Sequence, residues 1–193
     1  MPWEKQFDRR VALDRAMQAF WERGYEATSV QDLLDCMGLN RGSLYATFGD
    51  KHALFVEALK MYDVEVRVRL LSQIRGQLPP RQAIRKLLES FANDVEEDCP
   101  GRGCFLTNTA LELAAHDPAA RKIVGESQED LERFFREVLA EGQQDGTVNP
   151  CLVPHETARG LLASFIGLVV LSRSRPEVGL LRSIIEDALG RLD

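Results

Sequence analysis

The chain has 193 residues, of which 45% are hydrophobic and 28% charged, the composition of a globular protein with a substantial core. Its formal net charge of -6 excludes a broadly basic protein that coats nucleic acid, since residues 1–51 carry a net -1 and the remainder -5. The longest apolar run, at 161–171, is shorter than the ~18 to 20 residues of a membrane span, and the first ten residues do not resemble a secretion signal. We therefore expect a cytoplasmic protein with no membrane partner.

Helical spacing of apolar residues runs through the chain, whereas alternating strand patterns are scarce. A first helix is predicted over 6–23 and ends at Gly24. Thr28 is predicted to begin a second helix, with Gln31 completing a capping box, and Gly38 to end it. Asn40 is expected to cap a short third helix, and Asp50 a fourth that runs to about Arg75.

Five more helices are predicted after the break at the Pro79-Pro80 pair. The turn-rich segment CPGRG at 99–103 separates the fifth from the sixth, and Asp117-Pro118 is a typical start for the seventh. Their expected ranges are 80–97, 104–115, 118–141, 154–174 and 177–191. The fold class is therefore all-α, with about nine helices: a three-helix N-terminal domain at 1–50 and a helical bundle at 51–193.

The second and third helices, joined by a tight turn at Gly38, form a helix-turn-helix pattern. Gly42 lies within the third helix, where glycine costs roughly 1 kcal/mol relative to alanine. A missing Cβ would let the backbone approach a DNA base closely, since the first residues of such a helix meet base edges in the major groove. Arg41 could reach a guanine or a phosphate, and Ser43 and Tyr45 suit phosphate oxygens.

The stretch YEATSVQDLLDCMGLNRGSLYATFGDKHAL resembles the DNA-binding region of the TetR family of transcriptional repressors. The matching positions are Gly24, Tyr25, Thr28, Ser29, Gly38, Gly42, Ser43, Leu44, Tyr45, Phe48 and Lys51. The resemblance covers about 50 residues tightly, with Asn40 and His52 departing from the usual residues. It implies a ligand-responsive homodimer that binds palindromic double-stranded DNA through Thr28, Ser29, Asn40, Arg41, Gly42, Ser43, Tyr45 and Lys51.

The last two predicted helices carry more apolar surface than a monomer should expose. One interpretation is that both are buried within one subunit. The alternative, which the resemblance favours, is a two-fold interface in which they pair with their copies as a four-helix bundle. The residues expected at that interface are Leu161, Phe165, Leu168, Leu181, Ile184 and Ile185.

The segment at 98–118 contains Cys99 and Cys104 on either side of a glycine-rich turn, and it resembles a segment in a subset of TetR-like regulators, some of which sense reactive compounds. Arg102 and the start of the sixth helix would both lower the pKa of the Cys104 thiol. Cys104, with or without Cys99, could therefore react with an electrophile or oxidant and release DNA. Alternatively, Cys104 is a buried core residue and Cys99 a loop thiol.

The resemblance also implies a small-molecule pocket between the fifth and eighth helices. Candidates to line it are Phe91, Phe105, Asn108, Glu112, Leu111 and Phe135, with Asn108 and Glu112 as the polar contacts. Spacing alone would permit a zinc site from Cys99, Cys104, Cys151 and His155, but nothing else supports it. No catalytic motif is present, and we expect neither enzymatic activity nor a cofactor or metal.

The sequence thus predicts a dimeric DNA-binding regulator, most simply a repressor released by a small effector. A helical dimer that binds a small molecule or protein without reading DNA is the alternative, and a thiol-dependent enzyme is a more distant one. The net charge of -1 over residues 1–51 is the feature that favours the first alternative.

Overall fold

A computed structural model describes residues 7–97 and 101–193. Within those residues the chain forms nine helices and no strand, as the sequence predicted. Their bounds are α1 Arg9–Arg23, α2 Val30–Met37, α3 Arg41–Phe48, α4 in three consecutive segments (Lys51–Tyr62, the π-helical Asp63–Val68 and Arg69–Gln77), α5 Pro80–Glu96, α6 Phe105–Glu112, α7 Pro118–Gln144, α8 Pro154–Ser174 and α9 Val178–Gly190. The π-helical segment is a feature that the sequence pattern did not predict.

Side-chain caps fix where the N-terminal helices begin. Asn40 accepts a hydrogen bond from the Ser43 N–H (2.8 Å) and Asp50 one from the Ala53 N–H (2.7 Å), which confirms both predicted caps. The predicted start of α2 was wrong by one residue, because Ser29 and Asp32, not Thr28 and Gln31, form its capping box. Gly38 ends α2 in the left-handed conformation, with φ of 69°, which a tight turn between two helices requires.

The three N-terminal helices and the first segment of α4 share one core. Phe20 and Phe55 pack edge to face with ring centroids 5.2 Å apart, and both side chains are fully buried. Leu44 and Phe48 hold the inner face of α3 against this core. The outer face of α3 is therefore rigidly supported while it remains open to solvent.

The remaining helices form a bundle in which α7 packs along α8 and α5 packs against α7, α8 and α9. By length and composition alone α8 could cross a membrane, although it carries Arg159 and Arg173. In this fold its inner side belongs to the bundle core, where Leu168 and Val169 are fully buried. The helix is thus accounted for as a half-buried element of the bundle.

The predicted interface residues on α8 and α9 need correction. Leu161, Leu168, Leu181 and Ile185 are each no more than 3% exposed within a single subunit, and Phe165 is 8% exposed. They belong to the core of the bundle and offer little surface to a partner. Ile184 is the most exposed of the set and is half-buried. The error arose because apolar spacing marks a side of a helix as buried but does not show which part of the protein covers it.

Candidate functional site

The exposed face of α3 carries the residues that the helix-turn-helix pattern singled out. Arg41, Gly42 and Tyr45 are exposed, the last by 41%, and Ser43 is partly exposed. An added Cβ at Gly42 would meet only the Asn40 side-chain oxygen, at 3.4 Å, an ordinary contact distance. The fold therefore does not require glycine at this position, so its presence calls for a reason outside the fold.

Thr28 is not available as a DNA contact. Its side chain is fully buried, and its hydroxyl donates a hydrogen bond of 2.6 Å to the carbonyl oxygen of Gly24. Thr28 instead holds together the turn between α1 and α2. Ser29 is exposed, but its hydroxyl serves the α2 cap.

Three arginines of this N-terminal unit are paired with carboxylates. Arg9 pairs with Glu57 (2.6 Å), Arg10 with Glu65 (2.8 Å) and Arg23 with Asp32 (3.3 Å). Lys51 places its ammonium group 4.2 Å from the centre of the Tyr25 ring, a cation–π contact that orients it at the start of α4.

A cavity of about 70 Å³ lies inside the bundle and is lined by residues of α4 to α8. Its wall is mostly apolar, and its polar members are Tyr62, Arg67, Ser90, Cys104, Thr107, Ser127 and Gln128. Of the predicted pocket residues, Phe91 and Cys104 line it. Phe135 is fully buried in the core and is not part of this wall. Phe105 packs between Phe55 and Tyr62 and lines a second pocket, of about 280 Å³, between α1 and α6.

Cys104 is the N-cap residue of α6 and is 8% exposed, with its thiol on the cavity wall. Tyr62 lines the same cavity. Burial, followed by the neighbouring Cys104, raises the pKa of Tyr62 well above its usual value, so the phenol stays protonated. Cys99 lies outside the described residues, and its predicted role stays a prediction.

Arg102 does not act on the Cys104 thiol as expected. Its guanidinium lies 4.4 Å from the centre of the Trp21 ring and donates a hydrogen bond to the Gln18 side chain. The charge thus points toward α1 and not toward the cavity. Sequence reasoning placed Arg102 near Cys104 correctly along the chain but could not give the direction of its side chain.

Asn108 and Glu112, predicted as ligand contacts, do not line the first cavity but line the second pocket, together with Leu111. The Asn108 amide donates a local hydrogen bond to the carbonyl oxygen of Arg102 (2.8 Å). The Glu112 carboxylate accepts hydrogen bonds from the backbone N–H groups of Tyr25 (3.1 Å) and Glu26 (2.8 Å). We call the Glu112 hydrogen bonds, together with the contacts of Trp21 to Gly103 and of His52 to Asp117, the junction contacts. Nothing in the sequence linked the residues of these pairs, which are far apart along the chain.

The hypothesis of a zinc site gains no support from the described residues. Among residues 7–97 and 101–193 no three His, Cys, Asp or Glu side chains are grouped to hold a metal ion. Cys104 is buried on the cavity wall, whereas Cys151 is exposed in the loop before α8, and His155 lies beside Glu132.

Two family profiles match the chain, one in each half. Residues 12–58 match "Bacterial regulatory proteins, tetR family", and residues 80–184 match "Tetracyclin repressor-like, C-terminal domain". The chain belongs to the TetR family. It is a DNA-binding transcriptional regulator and not an enzyme, because TetR proteins act by binding DNA.

Relatives of known sequence and structure agree with this TetR fold. The uncharacterised HTH-type regulator YezE of Bacillus subtilis is 30% identical, over 98% of both chains. The repressor ComR of Escherichia coli is 30% identical, over 88% of this chain and 79% of ComR. A cysteine mutant of the TetR regulator CifR, solved with a 26-base-pair operator, superposes with a TM-score of 0.82 at 30% identity, over 98% of both chains.

Proposed function

We propose that this TetR protein is a cytoplasmic repressor that binds a palindromic operator as a homodimer and is released by a small, thiol-reactive effector. In this proposal residues 1–50 bind DNA, while residues 51–193 bind the effector and form the dimer. Because the first segment of α4 packs on α1, α4 belongs to both parts and links them.

The observation that carries the proposal is the exposed, rigidly supported face of α3. Arg41, Gly42 and Tyr45 face solvent, while Leu44 and Phe48 hold the helix from behind. A recognition helix must be fixed in this way to enter the major groove in one orientation. CifR, which shares the fold over its full length, was solved on operator DNA.

Selection of bound sequences from a random duplex library, with reduced protein at two salt concentrations, tests DNA reading directly. Enrichment of a palindrome is expected, with half-sites about one helical turn apart. A folded dimer that enriches no sequence at either salt concentration would favour the alternative module that binds a small molecule or protein without reading DNA.

The outer side of α8 supports the proposed dimer interface. Gly160 and Gly167 lie there with nothing within 4 Å of an added Cβ, so a partner helix could approach closely. Ile184 on α9 retains partial exposure. Gly160→Glu should leave the subunit folded and shift sedimentation toward a monomer. The matched control is Gly125→Glu on α7, also a helical glycine with open space, which should remain dimeric.

The cavity and its thiol support the proposed effector site. Cys104 is the thiol on that wall, and one residue before it Gly103 accepts a hydrogen bond from Trp21 of α1 (2.9 Å). A group added to the thiol would fill the ~70 Å³ present and, if larger, would push on this segment. It would thereby favour a state in which the two recognition helices no longer match successive grooves.

Operator release by methyl vinyl ketone, a small neutral electrophile, tests this step. Release from wild-type protein and from Cys151→Ser, which alters an exposed thiol, should be similar, whereas Cys104→Ser should stay bound. Undiminished release of Cys104→Ser would exclude Cys104 as the sensor. Parallel experiments with Cys99→Ser would show whether that thiol takes part.

A further inference from the structure

Tyr62 lines the cavity but has no role in the function proposed above. It ends the first segment of α4, immediately before the π-helical segment, and its side chain is 5% exposed. Its ring packs edge to face against that of Phe105, the residue after Cys104, with centroids 5.7 Å apart, and Tyr62 and Cys104 line the same cavity. π-Helical turns are rare and often occur at functional sites. A protonated phenol beside a thiol is a hydrogen-bond donor placed where an attacking sulfur meets its target.

The cavity favours an uncharged molecule. Arg67 is the one charged side chain among the described residues that line it. Its guanidinium hydrogen-bonds to Asp63 and, at 3.1 Å, to Asp130, so its charge is already compensated. An anion would find no free cation on this wall, and any ion would lose its hydration. The small volume restricts the ligand to a few non-hydrogen atoms unless the wall yields.

We propose that the Tyr62 hydroxyl binds the oxygen atom of the electrophile that Cys104 attacks, so that the cavity selects small, neutral molecules whose reactive carbon is conjugated to a carbonyl group. This inference rests on the proposed role of Cys104 and adds the class of ligand and a second residue that touches it.

The reaction with such a molecule is a conjugate addition. Cys104 loses its proton to water, and its sulfur forms a bond to the β-carbon. The π electrons of the carbon–carbon double bond move toward the carbonyl oxygen, which becomes negative and accepts a hydrogen bond from Tyr62. A proton from water then adds to the α-carbon and restores the carbonyl, so the sum is addition of S–H across the double bond. Donors aimed at the oxygen where charge develops are among the strongest contributions to such reactions.

Two reagents separate this role from a general effect on the thiol. Methyl vinyl ketone develops negative charge on oxygen during attack, whereas iodoacetamide loses iodide and does not. We expect Tyr62→Phe, which keeps the ring, to slow addition of methyl vinyl ketone to Cys104 by ~10- to 100-fold, the order of loss seen when one donor to a developing oxyanion is removed. Reaction with iodoacetamide should change far less. Peptide mass spectrometry follows each site, with exposed Cys151 as the internal reference.

A measurement on the wild-type protein keeps the inference testable if Tyr62→Phe does not fold. The rate ratio of methyl vinyl ketone to iodoacetamide should be higher at Cys104 than at Cys151, because Cys104 shares its cavity with Tyr62 whereas Cys151 is exposed in a loop. Iodoacetate is the anionic analogue of iodoacetamide. The rate ratio of iodoacetate to iodoacetamide should be lower at Cys104 than at Cys151. Equal ratios at both cysteines, or equal slowing of both neutral reagents in Tyr62→Phe, would overturn the inference.

The outcomes distinguish the inference from the function on which it rests. Addition at Cys104 that depends on Tyr62 but leaves the operator bound would support the inference and contradict the proposed release mechanism. Addition that releases the operator at the same rate with and without the Tyr62 hydroxyl would support the release mechanism and contradict the inference about Tyr62. Absence of any reaction at Cys104 would contradict both.

Discussion

The indole Nε1 of Trp21 donates a hydrogen bond of 2.9 Å to the carbonyl oxygen of Gly103. This contact joins α1 of the DNA-binding unit to the residue that precedes Cys104. The Arg102 guanidinium lies over the same indole, with its Cζ 4.4 Å from the ring centre. The indole also packs edge to face against the Tyr62 ring, with centroids 4.8 Å apart. A change at the cavity wall therefore has a short, packed route to α1.

Replacing this indole should weaken the coupling between effector and DNA. Trp21→Phe keeps an aromatic ring against Tyr62 but removes the donor to Gly103. We expect the ratio of operator affinities, without and with the Cys104 adduct, to fall by roughly fivefold, corresponding to about 1 kcal/mol for one hydrogen bond. Fluorescence anisotropy with labelled operator measures it, with the rate of adduct formation as the control. An unchanged ratio would show that coupling runs through other junction contacts.

Gly42→Ala should change protein stability and operator affinity in opposite directions. Alanine fits without a clash and should raise the free energy of unfolding by as much as ~1 kcal/mol, since it is the better helix former. If α3 approaches a base closely at this point, operator affinity should nevertheless fall. Urea unfolding and operator titration of one preparation give both quantities. Retained affinity would remove Gly42 from the DNA interface.

Arg41→Ala should weaken binding to the selected operator by ~1 to 3 kcal/mol if Arg41 contacts a guanine. Affinity for unrelated duplexes should then change less. Equal weakening on all sequences would mean that Arg41 contacts a phosphate only. Arg136→Ala, an exposed arginine on α7, is the matched control and should leave both affinities unchanged.

Thr28→Val should lower stability without lowering the operator affinity of the folded protein. The variant keeps the shape of the side chain but removes the donor to Gly24, at a cost of about 1 to 2 kcal/mol for a buried hydrogen bond. Thr28→Ser, which keeps the hydroxyl, should lose less. Loss of affinity in a fully folded Thr28→Val protein would restore Thr28 to the DNA interface.

The junction contact between His52 and Asp117 should make stability depend on pH. Burial opposes ionisation of Asp117, but hydrogen bonds from the Ala120 N–H and from His52 outweigh it, so the pKa of Asp117 is lowered in the folded protein. A lowered folded pKa gives stability that is present above the unfolded pKa of ~3.9 and is lost as pH falls through the folded value.

Asp117→Asn tests this contribution, because asparagine can still cap α7. The stability difference between wild type and Asp117→Asn should be greatest near neutral pH and should shrink below about pH 4. Urea unfolding at several pH values measures it. A difference that stays constant from neutral to acidic pH would mean that the carboxylate charge does not contribute.

The sequence predicted the helices well because their ends are set by local chemistry, such as the Asn40 and Asp50 caps and the positive φ of Gly38. It also identified the α3 face, where spacing alone separates buried Leu44 from exposed Tyr45. It failed where the answer depends on distant chain segments. Glu112 was predicted to contact a ligand, but its carboxylate accepts hydrogen bonds from backbone N–H groups of a turn more than eighty residues earlier. Tyr62 gave no sign of its proximity to Cys104, since only the folded bundle brings them together.

The compensated arginines of the N-terminal unit affect how the protein would behave as the ionic environment of a cell changes. Each phosphate neutralised by a cation adds about one counterion to the salt dependence of DNA binding. With Arg9, Arg10 and Arg23 already paired to carboxylates, these three arginines would release fewer counterions than unpaired ones. Occupancy of the operator would then vary less during osmotic stress than the number of cations in the unit suggests.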